Sequence, residues 1–199
     1  MRLFTAIELP DAVRDHLARV NERSDPASVY VNQGYRVSST PRDNLHVTLK
    51  FLGDVDESAV AELCDALGKV DSEPSEDVWA GHIDLLPPRG PVRVIAVGLD
   101  GDVGRVELLY RDVEARCEEL NFPRERRAYR PHITLQRCRS HVPPQRRGGI
   151  ASGYAADFPG PRFRVESFAL FESRLLPDAP QYIRLAHFPL TGAAGFTAG

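Results

Sequence analysis

The chain carries one tetrad twice, His46-Val47-Thr48-Leu49 in its first half and His132-Ile133-Thr134-Leu135 in its second. A repeated motif with matched apolar positions constrains the fold more than any single segment, because it calls for two similar halves that bring equivalent strands to one place. Side chains alternate faces along a β-strand, so each His and Thr share one face while Val47 and Leu49, or Ile133 and Leu135, anchor the other in a core. The open face then holds an imidazole, which titrates near neutral pH, and a hydroxyl that can donate to an oxyanion. Two copies facing each other would supply both partners of a proton-transfer reaction. A lone His-x-Thr arises readily by chance on an amphipathic strand. The functional reading rests on the pairing, with each copy behind a turn-like segment, Pro41-Arg42-Asp43-Asn44 and Arg130-Pro131.

A length of 199 residues, 42% hydrophobic and 27% charged, suits one domain or two small lobes sharing a core. No run approaches the roughly 18 apolar residues of a membrane span, and the N-terminus turns acidic at Glu8, too soon for a secretory signal. The cytoplasm is the expected location. Cys64, Cys117 and Cys138 fit neither a disulfide framework nor a Cys-x-x-Cys zinc site. Cys64 and Cys117 fall in helical patterns as small hydrophobes, and Cys138 sits close to the second tetrad. A net charge of −3 and a pI near 6.1 exclude a protein that coats nucleic acid through overall charge. Locally, Arg124, Arg126, Arg127, Arg130, Arg137, Arg139, Arg146 and Arg147 gather around the second tetrad, opposed by Glu125, and would draw a phosphate-bearing ligand there.

Periodicity predicts a strand over 2–9, a helix from Pro10-Asp11 to about Arg23 ended by Asp25-Pro26, and a short strand over 35–38. The first tetrad strand runs over 45–52 and stops at Gly53, and a second helix starts at Asp56-Glu57-Ser58. Strands over 78–86 and 92–99 form a hairpin through Pro87-Pro88-Arg89-Gly90, and a third helix covers 105–120. Residues 140–162 read as a loop rich in Arg, Pro and Gly. Strands follow over 163–173 and 181–189, joined by a Pro-rich turn that includes Pro177-Asp178, and 192–199 reads as a frayed tail. The expected class is α+β, with mostly antiparallel sheets flanked by three helices on one face.

These residues resemble the 2H phosphoesterase superfamily, in particular its RNA 2′,3′-cyclic phosphodiesterase branch, historically called 2′-5′ RNA ligase. The likeness rests on Arg2-Leu3-Phe4-Thr5-Ala6-Ile7, on Asn44 to Gly53, on Arg130 to Leu135, and on Phe168 to Ser173 with Tyr182 to Leu190. Val37-Ser38-Ser39 and Ala96 depart from it, standing where the family often has aromatic residues. The resemblance implies one bilobal, pseudo-symmetric domain over 1–199 with a central cleft, no metal or other cofactor, and RNA carrying a 2′,3′-cyclic phosphate end as partner, tRNA fragments included. It implies a monomer that opens the cyclic ester to a 2′-phosphate. By the same resemblance His132 would be the proton acceptor that activates water, and His46 the proton donor to the departing O3′. The sequence alone leaves the two roles exchangeable. Thr48 and Thr134 would hold the nonbridging oxygens, with Arg137 as cationic partner and Arg130 as a further phosphate or RNA contact.

Strict alternation puts Arg137 on the wrong face, so its part requires a bulge after Leu135. A regular first strand would set Lys50 on the His46 face, within reach of substrate. His16, His82, His141 and His187 lack a matching threonine and read as surface or packing residues. Joining tRNA halves by a 2′-5′ linkage, binding RNA ends without catalysis, and a metal site at His46 and His132 are the competing readings, the last lacking the extra ligands zinc needs.

Overall fold

Alternating apolar residues make nine strands among the described residues, and all of them pair into one antiparallel sheet. A computed structural model of the chain describes residues 1–23, 35–176 and 179–191. In chain order the elements are β1 (Arg2–Glu8), α1 (Asp11–Arg23), β2 (Val37–Ser39), β3 (His46–Asp54), α2 (Val60–Leu67), β4 (Ser75–Leu86), β5 (Val92–Gly101), α3 (Val103–Glu119), β6 (His132–Val142), α4 (Arg147–Tyr154), β7 (Arg162–Val165), β8 (Ser167–Arg174) and β9 (Gln181–Pro189).

The tetrad strands β3 and β6 lie side by side in the middle of the sheet and pair at Val47 and Ile133. Outward from that seam the order is β3, β1, β8, β9 on one side and β6, β5, β4, β7 on the other, with β2 added to β6. Each tetrad strand completes a strand–helix–strand unit, built on α1 in the first half and α3 in the second. The neighbouring strand places an alanine opposite each threonine, Ala6 against Thr48 and Ala96 against Thr134. Val13, Leu17 and Val20 of α1, Leu63 and Leu67 of α2, and Val106, Leu109 and Val113 of α3 join the buried core with Val47, Leu49, Ile133 and Leu135. Each such side chain removed from water contributes about 1.5–3 kcal/mol.

Both tetrad strands bulge just past their threonine. Thr5 pairs with Lys50 while Ala6 pairs with Thr48, which leaves Leu49 as the extra residue; Ile95 pairs with Gln136 while Ala96 pairs with Thr134, which leaves Leu135. The bulge turns the next side chain into the core and the one after it back to the open face. Lys50 and Gln136 are therefore buried, and Phe51 and Arg137 are exposed. The bulge that Arg137 requires is present, and its counterpart in β3 corrects the placement of Lys50. Lys50 Nζ donates to Glu114 Oε1 at 2.7 Å and to the Pro123 carbonyl at 2.8 Å, on the far side from His46.

Residues 140–162 are not a loop throughout. β6 extends to Val142, and α4 buries Ile150 and Tyr154 despite Gly148, Gly149 and Gly153, whose low helical propensity hides it. The Arg147 guanidinium donates to the carbonyls of Leu85, Pro87 and Gly90, so it ties α4 to the β4–β5 hairpin instead of facing a ligand. The expected strand over 163–173 breaks at Glu166, where the chain crosses from β7 against β4 to β8 against β1. The helices number four among the described residues. The expectations for Asp25-Pro26, Pro177-Asp178 and 192–199 lie outside the described residues. No helix among the described residues is long and apolar enough to cross a membrane.

Breaking a buried ion pair strands its partner in the core. Lys50→Ala is expected to lower unfolding stability by about 3–5 kcal/mol, and Lys50→Met with Glu114→Leu to recover part of that loss. Urea midpoints at constant m measure both, and a single variant as stable as the parent would refute the assignment.

Candidate active site

The short turn Arg42–Asn44 delivers the chain into β3 with the Asn44 carbonyl 2.8 Å from His46 Nδ1. Arg130 does the same for the second tetrad, its carbonyl 2.7 Å from His132 Nδ1. A carbonyl only accepts, so both imidazoles carry their proton on Nδ1, and Nε2 is the nitrogen left for chemistry. At His46 that nitrogen accepts from the Thr48 hydroxyl at 3.0 Å.

Antiparallel register around Val47 and Ile133 sets His46 opposite Thr134 and Thr48 opposite His132. The four groups form a compact quartet in which each imidazole neighbours the other tetrad's threonine. His46 and Thr134 line one groove together with Arg137, Asn44 and Tyr182. Arg137 has no carboxylate partner among the described residues, and its charge reaches both His46 and Tyr182. The His46 ring packs against Phe4 and Tyr182, with ring centroids 5.1 and 5.3 Å away. Burial pulls the His46 pKa down to about 4 against the opposing bond to Asn44, and the nearby Arg137 and His132 push the same way as burial. His46 is thus neutral near pH 7 in the free protein. Burial pushes the Tyr182 hydroxyl up, which keeps it a donor at neutral pH.

The structure brings together His46, His132, Thr48, Thr134 and Arg137. It does not bring Lys50, and Arg130 contributes its carbonyl while its exposed side chain lies outside the groove lining. Two tyrosines escape a reading of the sequence. Tyr182 forms one wall of the groove, and Tyr129 stacks on Tyr110 at 3.9 Å and donates to the Thr48 carbonyl at 3.0 Å. Tyr129 lies close before His132, but no spacing rule marks it. Among the described residues no three His, Cys, Asp or Glu side chains converge as a metal site. Burial raises the Cys138 thiol above its ordinary value, which disfavours the reactive thiolate.

The family model described as LigT like Phosphoesterase matches the chain twice, over residues 7–96 and 97–182, one match for each tetrad. A Thermus thermophilus protein named RNA 2′,3′-cyclic phosphodiesterase is 30% identical over 205 aligned positions, covering 98% of this chain and 93% of the relative. A Methanocaldococcus jannaschii protein of the same name is 27% identical, covering 92% of this chain and 96% of the relative. Among solved structures, one from Thermus thermophilus superposes with a TM-score of 0.72 at 28% identity, covering 96% of this chain and 99% of that one. Escherichia coli LigT complexed with 3′-AMP shares the fold, with a TM-score of 0.71 at 22% identity over 96% of this chain and 98% of that one.

The enclosure of His46 is directly measurable. Its ring resonances in the free protein are expected to titrate near pH 4. A midpoint at an ordinary imidazole value, near 6.5, would show that water reaches the ring.

Proposed function

The chain belongs to the LigT-like phosphoesterase family, and from that membership we propose that it hydrolyses RNA 2′,3′-cyclic phosphate ends to 2′-phosphates, with two histidines as acid and base. One observation supports this reading above the rest: two imidazoles of the same tautomer stand on adjacent strands, and beside one of them lies an arginine with no carboxylate partner among the described residues. The relatives' names point to the same substrate.

His132 Nε2 takes a proton from water as the water oxygen forms its bond to phosphorus, and His46 gives a proton to O3′ as the P–O3′ bond breaks. Thr48, Thr134 and Arg137 hold the nonbridging oxygens as charge builds on them. These residues supply proton transfer and charge stabilisation without a nucleophilic side chain. The Thr48 hydroxyl must turn from His46 Nε2 to the substrate, freeing that nitrogen for the leaving oxygen.

The low pKa of His46 makes its protonation part of substrate binding. A cyclic phosphate is a monoanion, and its charge beside the ring favours imidazolium. With a free pKa of about 4 and a higher bound value, binding takes up a proton. Affinity is then greatest below pH 4 and falls tenfold per pH unit above it until the bound pKa is passed.

Purified protein in EDTA, given an oligoribonucleotide with a 2′,3′-cyclic phosphate end, should release a 2′-phosphate. His46→Ala and His132→Ala should each lower kcat by about a hundredfold or more with the fold retained. A 3′-phosphate product would reverse the leaving oxygen, and parental turnover in either variant would sink the mechanism. In the inactive His132→Ala protein, affinity for the cyclic end should decline between pH 4 and 7. A flat profile there would remove His46 as the acid and exchange the two roles.

A further inference from the structure

The open face around the histidines carries opposite charge on its two sides. Away from β3, the row holding His132 continues through Gly98 to His82, and the row holding Thr134 continues through Ala96 to Asp84. His82 Nδ1 lies 3.2 Å from Asp100 Oδ1, and Asp84 Oδ2 is 4.0 Å from its Nε2. The ring rests over Gly98 so closely that a Cβ there would come within 2.5 Å of Nε2. Two carboxylates around one imidazole leave this side acidic.

Across β6 the charge is reversed. β2 sets Ser38 opposite Arg137, and Arg139 Nε donates to Ser38 Oγ at 3.3 Å. Arg137 and Arg139 stand on one face, about 7 Å apart along the strand. Neither has a carboxylate partner among the described residues, whereas Arg124 and Arg162 each hold one and Arg164 holds two. The groove that contains His46 and Thr134 is also lined by Ser38, Ser39 and Arg139, so it runs without a break from the catalytic centre to this second arginine.

We propose that Arg139 and Ser38 form a second phosphate subsite, which binds the phosphodiester joining the terminal nucleotide to its 5′ neighbour. The RNA chain leaves the catalytic centre over β2. This inference rests on the functional reading above and adds a direction and a minimum substrate to it. With the cyclic phosphate on the 2′ and 3′ oxygens, the next anion sits on the 5′ oxygen of the same sugar, and a mononucleoside substrate lacks it. Arg139 presents the planar donor fork that phosphate oxygens accept. Asp84 and Asp100 repel a polyanion from the opposite exit.

The test compares a nucleoside 2′,3′-cyclic monophosphate with a dinucleotide ending in the same cyclic phosphate, in the parent and in the Arg139→Ala and Arg139→Lys variants. The parent should prefer the dinucleotide. Arg139→Ala should cut that preference, as a ratio of kcat/KM, by about tenfold, through KM. Arg139→Lys should restore part of it. For the dinucleotide, the slope of log kcat/KM against log salt should shallow by about 0.7, the loss of one single-strand phosphate contact. Turnover of both substrates with an unchanged ratio in Arg139→Ala would overturn the subsite alone. Absence of turnover with either substrate in the parent would overturn the functional reading and the subsite with it.

Discussion

The seam between Val47 and Ile133 is the constraint on which the site depends. Both side chains are fully buried, and their pairing joins a half of four strands to a half of five, β2 included. Because strand side chains alternate with a period of two, this register decides which groups meet on the open face. With Val47 against Ile133, each histidine neighbours the other half's threonine. A slip by one residue in either strand would send an imidazole into the core and an aliphatic side chain to solvent. Core packing on one face therefore fixes which histidine and threonine meet on the other.

The two bulges extend that logic. In a regular strand, Leu49 and Leu135 would be followed by Lys50 and Gln136 on the catalytic face. The extra residue in each strand turns these polar groups inward, where each finds a partner: Lys50 meets Glu114, and Gln136 accepts from the Tyr154 hydroxyl at 3.0 Å. Glu114 Oε2 in turn accepts from the Glu125 backbone at 3.2 Å, and Pro123 supplies a carbonyl to Lys50. The bulge in β3 thereby fastens the segment that leads from α3 to His132. Tyr129 adds a second tie through the Thr48 carbonyl. A distortion in the first half thus positions the histidine of the second.

The tetrads and the strands and helices that lead into them are legible because hydrophobic periodicity and local repetition encode them, while the central cleft is legible only through the family resemblance. The bulge in β6 is legible in part, since Arg137 reaches the site only through one, whereas nothing in the sequence of β3 calls for a bulge and regular alternation sets Lys50 on the wrong face. α4 stayed hidden because three glycines and an arginine-rich approach outweigh two buried side chains in any local window. The break at Glu166 was equally hidden, because β7 and β8 are each extended and only their partners in different halves separate them. Tyr182, Tyr129 and the carbonyls of Asn44 and Arg130 belong to tertiary geometry and leave no mark in spacing.

The matched halves do not produce matched histidines. Both rings are held by a carbonyl two residues upstream, so their tautomers agree. Their surroundings differ: His46 is walled by Phe4 and Tyr182 and lies near Arg137, whereas the His132 row opens toward His82 and its two carboxylates. The proposed hydrolysis needs one acid and one base, and unlike surroundings are one way to commit each ring to a role. Phe51 and Arg137, at corresponding positions after the two bulges, extend the inequality to the open face by placing an exposed ring on one side and a charge on the other. The repeat sets the geometry of the four side chains, and the divergence between its copies gives the two rings different surroundings.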